Sequence, residues 1–113
     1  MAAEHEQSNF RLAREALLER LPGSPPATRR IEGELGPLRG AAGYEAALRE
    51  AFGTAVPQLD LVLLGVGPDA HCASLFPGAP ALEERRRLAV GVERAGLAPV
   101  SYTHLTLPTT PYV

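Results

Sequence analysis

Residues Leu61–Gly78, LVLLGVGPDAHCASLFPG, constrain the fold more than any other part of the chain. The segment begins with an apolar run and opens into a turn that contains two glycines, an aspartate and a histidine. Apolar runs of this kind, bounded by glycine, favour a central strand of a parallel sheet, which is buried on both faces. We therefore predict a buried strand over Leu59–Leu64. Ligands of such sheets bind at the carboxyl ends of the strands, so Asp69 and His71 are candidate site residues.

Two helices are predicted upstream of this strand. Ser8 or Asn9 is suited to cap the first helix, whose apolar stripe ends at a proline-rich loop that begins at Pro22. The second has apolar residues at helical spacing and is closed by Gly53 and Pro57. The two apolar sets are Phe10, Ala13, Leu17 and Leu21 for the first helix, and Tyr44, Ala47, Leu48, Ala51 and Phe52 for the second.

The remaining segments complete an α/β pattern. Thr28–Leu35 is ambiguous, with a short strand as one interpretation, and Ala70–Phe76 has room for a short helical turn. Leu88–Val92 is predicted to be a second strand, after the charged segment 82–87. The predicted order is helix, strand, crossover and strand.

Composition excludes several classes of protein. The chain has 113 residues, 45% of them hydrophobic, which indicates one globular domain at most, and a net charge of −2 gives no basic field for nucleic acid or an anionic membrane. One cysteine rules out an internal disulfide framework and gives no support for a metal site. Without a signal-like or membrane-spanning apolar run, we expect a cytoplasmic protein.

The turn and its flanks also form a specific motif. Gly65-Val66-Gly67-Pro68-Asp69, His71 and Ala73-Ser74-Leu75-Phe76-Pro77-Gly78 follow one another, and together they resemble the active-site motif of the 6-phosphogluconolactonase family. The resemblance covers most of residues 4–90. The upstream positions that match are His5, Ser8-Asn9, Leu12-Ala13-Arg14-Glu15, Arg30, Gly33-Glu34, Gly36-Pro37, Tyr44 and Phe52.

This resemblance implies a fold and a reaction. The fold is a partial Rossmann-like parallel sheet with flanking helices, in an incomplete α/β domain. The reaction is hydrolysis of 6-phospho-D-glucono-1,5-lactone to 6-phosphogluconate in the oxidative pentose phosphate pathway. It requires a small sugar-phosphate lactone as substrate, with no cofactor and no metal.

The resemblance also implies roles for the residues of the turn. His71 would be the general base that activates water, because an imidazole titrates near neutral pH. Asp69 would orient the ring or stabilise the imidazolium. The backbone around Gly65, Gly67 and Ala70 would bind the substrate or the developing oxyanion, since glycines allow the main chain to approach a ligand.

Two residues beside His71 depart from the family pattern. The family commonly has glycine at the position of Ala70 and threonine at that of Cys72. A glycine there serves a turn with positive φ, which alanine adopts at some energetic cost. A cysteine keeps the small size but weakens a hydrogen bond that a threonine hydroxyl would make.

Other functions fit parts of the same pattern. Gly65–Ala70 satisfies the letters G-x-G-x-x-A of a dinucleotide site, with Glu93 at the end of the next strand, but the prolines at 77 and 80 interrupt the long helix that such a site needs. A sugar-phosphate isomerase or deaminase of the related fold, and a catalytically silent binding module, remain open. Ser74 is not bracketed by the glycines that form a nucleophile elbow. We therefore favour a packing or capping role for Ser74 over a Ser-His-Asp triad with His71 and Asp69.

The carboxyl-terminal residues form a separate unit. Val100–Thr110, VSYTHLTLPTT, resembles a translated sequencing-library adapter, so we expect residues 100–113 to be non-native and exclude His104 from the site. The alternative is a genuine threonine-rich β-strand tail.

Residues 1–99 are then expected to be part of a lactonase-like domain. In the family, a first strand and a glycine-rich phosphate-binding loop would precede Glu4. We therefore expect the phosphate ligands upstream of Met1, and we expect the 113 residues by themselves to lack lactonase activity.

Overall fold

A computed structural model describes residues 2–53, 57–68, 70 and 75–92, together with the backbone of 102–105. Two α-helices, α1 (Asn9–Ala16) and α2 (Pro37–Phe52), precede two strands, β1 (Ala89–Val92) and β2 (Tyr102–Leu105). Short 3-10 helices lie between them, at Leu18–Arg20, Gly33–Leu35 and Pro80–Glu83.

Helix α1 begins where the sequence predicts. The Ser8 hydroxyl accepts a hydrogen bond from the backbone N–H of Arg11 at 3.2 Å, which satisfies one of the free donors of the first turn. The helix ends at Ala16, earlier than its apolar stripe indicates, and the chain continues into the 3-10 turn. Leu17 and Leu21 of that stripe are exposed, so within the described residues α1 contributes little to the core.

Helix α2 confirms the second predicted helix and extends it toward the amino terminus. Pro37 occupies the first turn, where its missing N–H costs nothing. Gly53 ends the helix in the left-handed region at φ 62°, and its N–H donates to the carbonyl of Arg49 at 2.8 Å.

The core lies between α2 and β1. Gly91 of β1 faces the backbone of Pro37, at the start of α2, so closely that a Cβ at position 91 would be 2.7 Å from the Pro37 carbonyl. The core is aliphatic except for one phenylalanine, and its buried apolar residues are Ala41, Leu48, Phe76, Leu88, Ala89, Val90 and Val92. Strand β1 thereby confirms the predicted strand at 88–92.

The predicted buried strand over Leu59–Leu64 is wrong in this structure. No ladder pairing is assigned there, and the side chains of Leu61 and Leu63 are 76% and 79% exposed. An apolar run becomes a central strand only when strands on both sides form hydrogen bonds with its backbone N–H and C=O groups. None of the described residues pairs with 59–64 in this way.

The sheet also differs from the parallel arrangement that the sequence predicts. Strands β1 and β2 are antiparallel, with Ala89 opposite Leu105 and Val92 opposite Tyr102. Residues 93–101 separate them, fewer than the dozen or more residues that a parallel crossover requires. Residues 102–105 lie within the segment 100–113, whose non-native origin stays a prediction.

The ambiguous segment Thr28–Leu35 contains no strand. Its last three residues form the 3-10 helix Gly33–Leu35, and Gly36 follows with φ 85°. The side chain of Arg30 pairs with Glu34 within this segment, which favours a tight local turn over an extended strand.

Candidate functional site

The glycine-paired segment forms a tight turn directly before the predicted base. The backbone N–H of Ala70 donates to the carbonyl of Gly67 at 3.0 Å, closing a four-residue turn over positions 67–70. Gly65 and Ala70 are exposed and Gly67 is half-buried, so the backbone of the turn is accessible to a ligand.

Ala70 has the positive φ that is expected from the glycine commonly found at its position in the family. Its φ is 64°, and it is the only non-glycine residue with positive φ in the described part of the chain. A side chain with a Cβ adopts this left-handed conformation at a cost of about 1–2 kcal/mol. The positive φ expected at this position is therefore present, and its energetic cost stays a prediction.

The two predicted catalytic side chains, Asp69 and His71, lie outside the described residues, and so do Cys72 and Ser74. Their assignment as base and orienting group stays a prediction. The residues that flank them, Ala70 and Leu75, are described.

Several upstream residues of the motif make local contacts with other side chains and with the backbone. The guanidinium of Arg30 donates two hydrogen bonds to the carboxylate of Glu34, one of them at 2.9 Å, and lies 5.9 Å from the ring centroid of Phe10. The Arg30 guanidinium lowers the pKa of the Glu34 carboxyl to about 2, through the hydrogen bond above all. Nδ1 of His5 accepts from the N–H of Gln7 at 3.1 Å in an exposed loop. These contacts agree with a structural role rather than a catalytic one.

A cavity beside α2 was not predicted from the sequence. It has a volume of about 280 Å³ and lies between the segment before Leu35 and the first half of α2. Its charged lining residues are Arg29, Arg30, Glu32 and Arg39. They come from two separated segments, so no local pattern marks them.

The described residues contain neither a metal-binding cluster nor a membrane-spanning helix. Among the described ranges, no group of three His, Cys, Asp or Glu side chains is placed to hold a metal ion. Over the same ranges, no helix has the length and hydrophobicity to span a membrane.

Comparison with known proteins identifies the family. Residues 1–110 match the model of the glucosamine-6-phosphate isomerases/6-phosphogluconolactonase family. The chain therefore belongs to this family of proteins that act on phosphorylated sugars.

Individual relatives narrow the likeness to one branch. A 6-phosphogluconolactonase of Homo sapiens is 40% identical over 106 residues, which are 93% of this chain and 41% of the relative. A 6-phosphogluconolactonase of Streptomyces coelicolor is 37% identical over 90% of this chain and 42% of its own length. The solved structure of 6-phosphogluconolactonase from Trypanosoma cruzi superposes with a TM-score of 0.69 and 28% identity, over 94% of this chain and 46% of that one.

The chain thus spans about two-fifths of the length of these curated relatives. The likeness to the trypanosomal structure supports the Rossmann-like isomerase/lactonase fold at the level of overall architecture.

Proposed function

We propose that this chain is the base-bearing part of a 6-phosphogluconolactonase, which hydrolyses 6-phospho-D-glucono-1,5-lactone to 6-phosphogluconate in the cytoplasm. The observation that supports this most directly is the tight turn at 67–70, inside a chain that is 40% identical to the human 6-phosphogluconolactonase. His71 follows this turn directly in the sequence.

In the proposed mechanism, His71 removes a proton from a water molecule as the water attacks the lactone carbonyl. The carbonyl oxygen becomes an oxyanion, and the ring C–O bond then breaks to leave a carboxylic acid, which loses its proton to solvent, and a hydroxyl. The proton held by the imidazole returns to the departing ring oxygen. Asp69 stabilises the imidazolium between these two transfers, since a carboxylate favours the charged form of a neighbouring imidazole.

The backbone of the turn has a separate role. The segment from Gly65 to Ala70 is exposed along most of its length, and glycines at 65 and 67 leave its peptide groups uncovered by side chains. Peptide N–H groups in such a segment are suited to stabilise the oxyanion.

A chimera tests this function. Residues 4–92 of this chain replace the matching segment of the human relative, and loss of the lactone is followed at neutral pH against its spontaneous rate. The chimera should accelerate hydrolysis, and His71→Ala should lower kcat by about 10²–10⁴-fold, the usual contribution of a general base. Ser74→Ala is the matched control and should leave most of the activity in place.

Three outcomes distinguish the alternatives. An unchanged rate in the His71→Ala chimera would refute the assigned base. Release of ammonia from glucosamine 6-phosphate would indicate the isomerase or deaminase branch. A folded chimera without either activity would indicate a silent binding module.

A further inference from the structure

The cavity beside α2 has the shape and charge of a small-anion site. Its walls come from the 28–35 segment and from α2, and none of the described residues of the 65–70 turn lines it. A volume of about 280 Å³ is at the lower end of the range for ligand pockets, which fits a monosaccharide better than a nucleotide.

Two arginines of the cavity are available to a ligand. Within the described ranges, Arg29 and Arg39 are exposed, and neither has a carboxylate partner. Arg30 differs from them, because Glu34 already holds its guanidinium. Unpaired guanidinium groups are the side chains best suited to bind phosphate or carboxylate.

Two other polar side chains of the cavity, Glu32 and Tyr44, are suited to form hydrogen bonds with hydroxyl groups of a ligand. Glu32 lines the same cavity and has no cationic partner within salt-bridge distance among the described residues, so its carboxylate is free to accept hydrogen bonds. Tyr44 is half-buried in the wall, and burial raises the pKa of its phenol, so it stays a neutral donor at physiological pH.

Gly43 lines the cavity next to open space. A Cβ built on Gly43 of α2 would have no heavy atom within 4 Å, apart from its own helix backbone and its chain neighbours. Gly43 lines the cavity, so the space above it is room for a ligand rather than a packing contact.

From these groups we infer that the cavity between residues 28–35 and helix α2 binds a phosphorylated monosaccharide, with Arg29 and Arg39 on the phosphate and Glu32 and Tyr44 on the hydroxyls. This site is separate in sequence from the turn at 67–70 and does not depend on the proposed lactonase activity.

Nuclear magnetic resonance tests the site on the 113-residue chain. Glucose 6-phosphate is titrated into ¹⁵N-labelled protein, with glucose and inorganic phosphate as separate probes. Glucose 6-phosphate should give saturable shifts of the Gly40 and Gly43 amides, inorganic phosphate should bind more weakly at the same amides, and glucose should give no saturable shift.

Matched variants separate a built site from general charge attraction. Arg39→Gln should weaken binding about tenfold or more, as expected on removing a charge-assisted hydrogen bond. Arg86→Gln removes the same charge from an exposed arginine outside the cavity and should leave binding unchanged. Gly43→Leu should fill the cavity and abolish binding while the helical circular dichroism signal is retained, since leucine favours helix over glycine.

Several results would overturn the inference. One is that Arg39→Gln and Arg86→Gln weaken the binding of glucose 6-phosphate equally. Another is that Gly43→Leu binds glucose 6-phosphate as well as the parent does. A third is that glucose shifts the amide signals as much as glucose 6-phosphate does. A parent chain that lacks dispersed signals and gains none on addition of glucose 6-phosphate would equally refute it, because the cavity requires a folded α2.

Discussion

Replacing Gly91 with alanine perturbs the closest contact between β1 and α2. The new Cβ would lie 2.7 Å from the carbonyl carbon and oxygen of Pro37 and 2.8 Å from its Cβ, all below the 3.0 Å that real Cβ contacts respect. The strand and the helix must separate by roughly 0.8 Å to restore an ordinary contact of about 3.5 Å. Because Pro37 opposes the new methyl group with backbone atoms, no side-chain rotation relieves the clash.

The expected cost follows from two opposing terms. Overpacking of this kind costs about 1–3 kcal/mol. Alanine recovers about 0.5–1 kcal/mol, because it loses less conformational freedom on folding than glycine does. The free energy of unfolding should therefore fall by about 1 kcal/mol, and by about 2.5 kcal/mol at most.

Urea unfolding followed by far-ultraviolet circular dichroism measures this change. With a slope of about 1–3 kcal/mol per M, a fall of about 1 kcal/mol lowers the midpoint by roughly 0.3–1 M. The matched control is Gly43→Ala, at a helical position with open space, which should raise stability by about 0.5–1 kcal/mol. If Gly91→Ala is as stable as the parent while Gly43→Ala behaves as expected, the close packing of β1 on Pro37 is refuted.

Three further predictions rest on other parts of the chain. Ala70→Gly should raise stability by about 1 kcal/mol in urea unfolding, because φ 64° is costly for a residue with a Cβ, and no gain would refute that strain. The Glu34 carboxyl should titrate near pH 2 by NMR, so the stability it adds is present above its unfolded pKa and is lost as pH falls toward 2. Arg30→Gln should raise the Glu34 pKa toward its ordinary value, and an ordinary value in the parent would refute the pair. Leu61→Lys with Leu63→Lys should leave the free energy of unfolding in urea unchanged, because both side chains are exposed, whereas a loss above about 2 kcal/mol would support the buried strand instead.

Local signals in the sequence predicted the two helices, the start of α1 and the end of α2. Ser8 caps α1 and Gly53 ends α2, because capping depends on hydrogen bonds and backbone angles within a few residues. The left-handed conformation of Ala70 was also foreseeable, from the glycine that the family commonly has at that position. The motif that contains this turn indicated the family before any fold was known.

Contacts between distant segments decided the rest. The run at Leu59–Leu64 has the composition of a buried strand, yet its burial depends on neighbouring strands that a local pattern cannot supply. The antiparallel pairing of β1 with β2 and the clustering of Arg29 with Arg39 likewise arise only when separate segments meet. Backbone angles and caps are short-range properties that the sequence determines by itself, whereas strand partners, burial and cavities are long-range properties that only the tertiary structure determines.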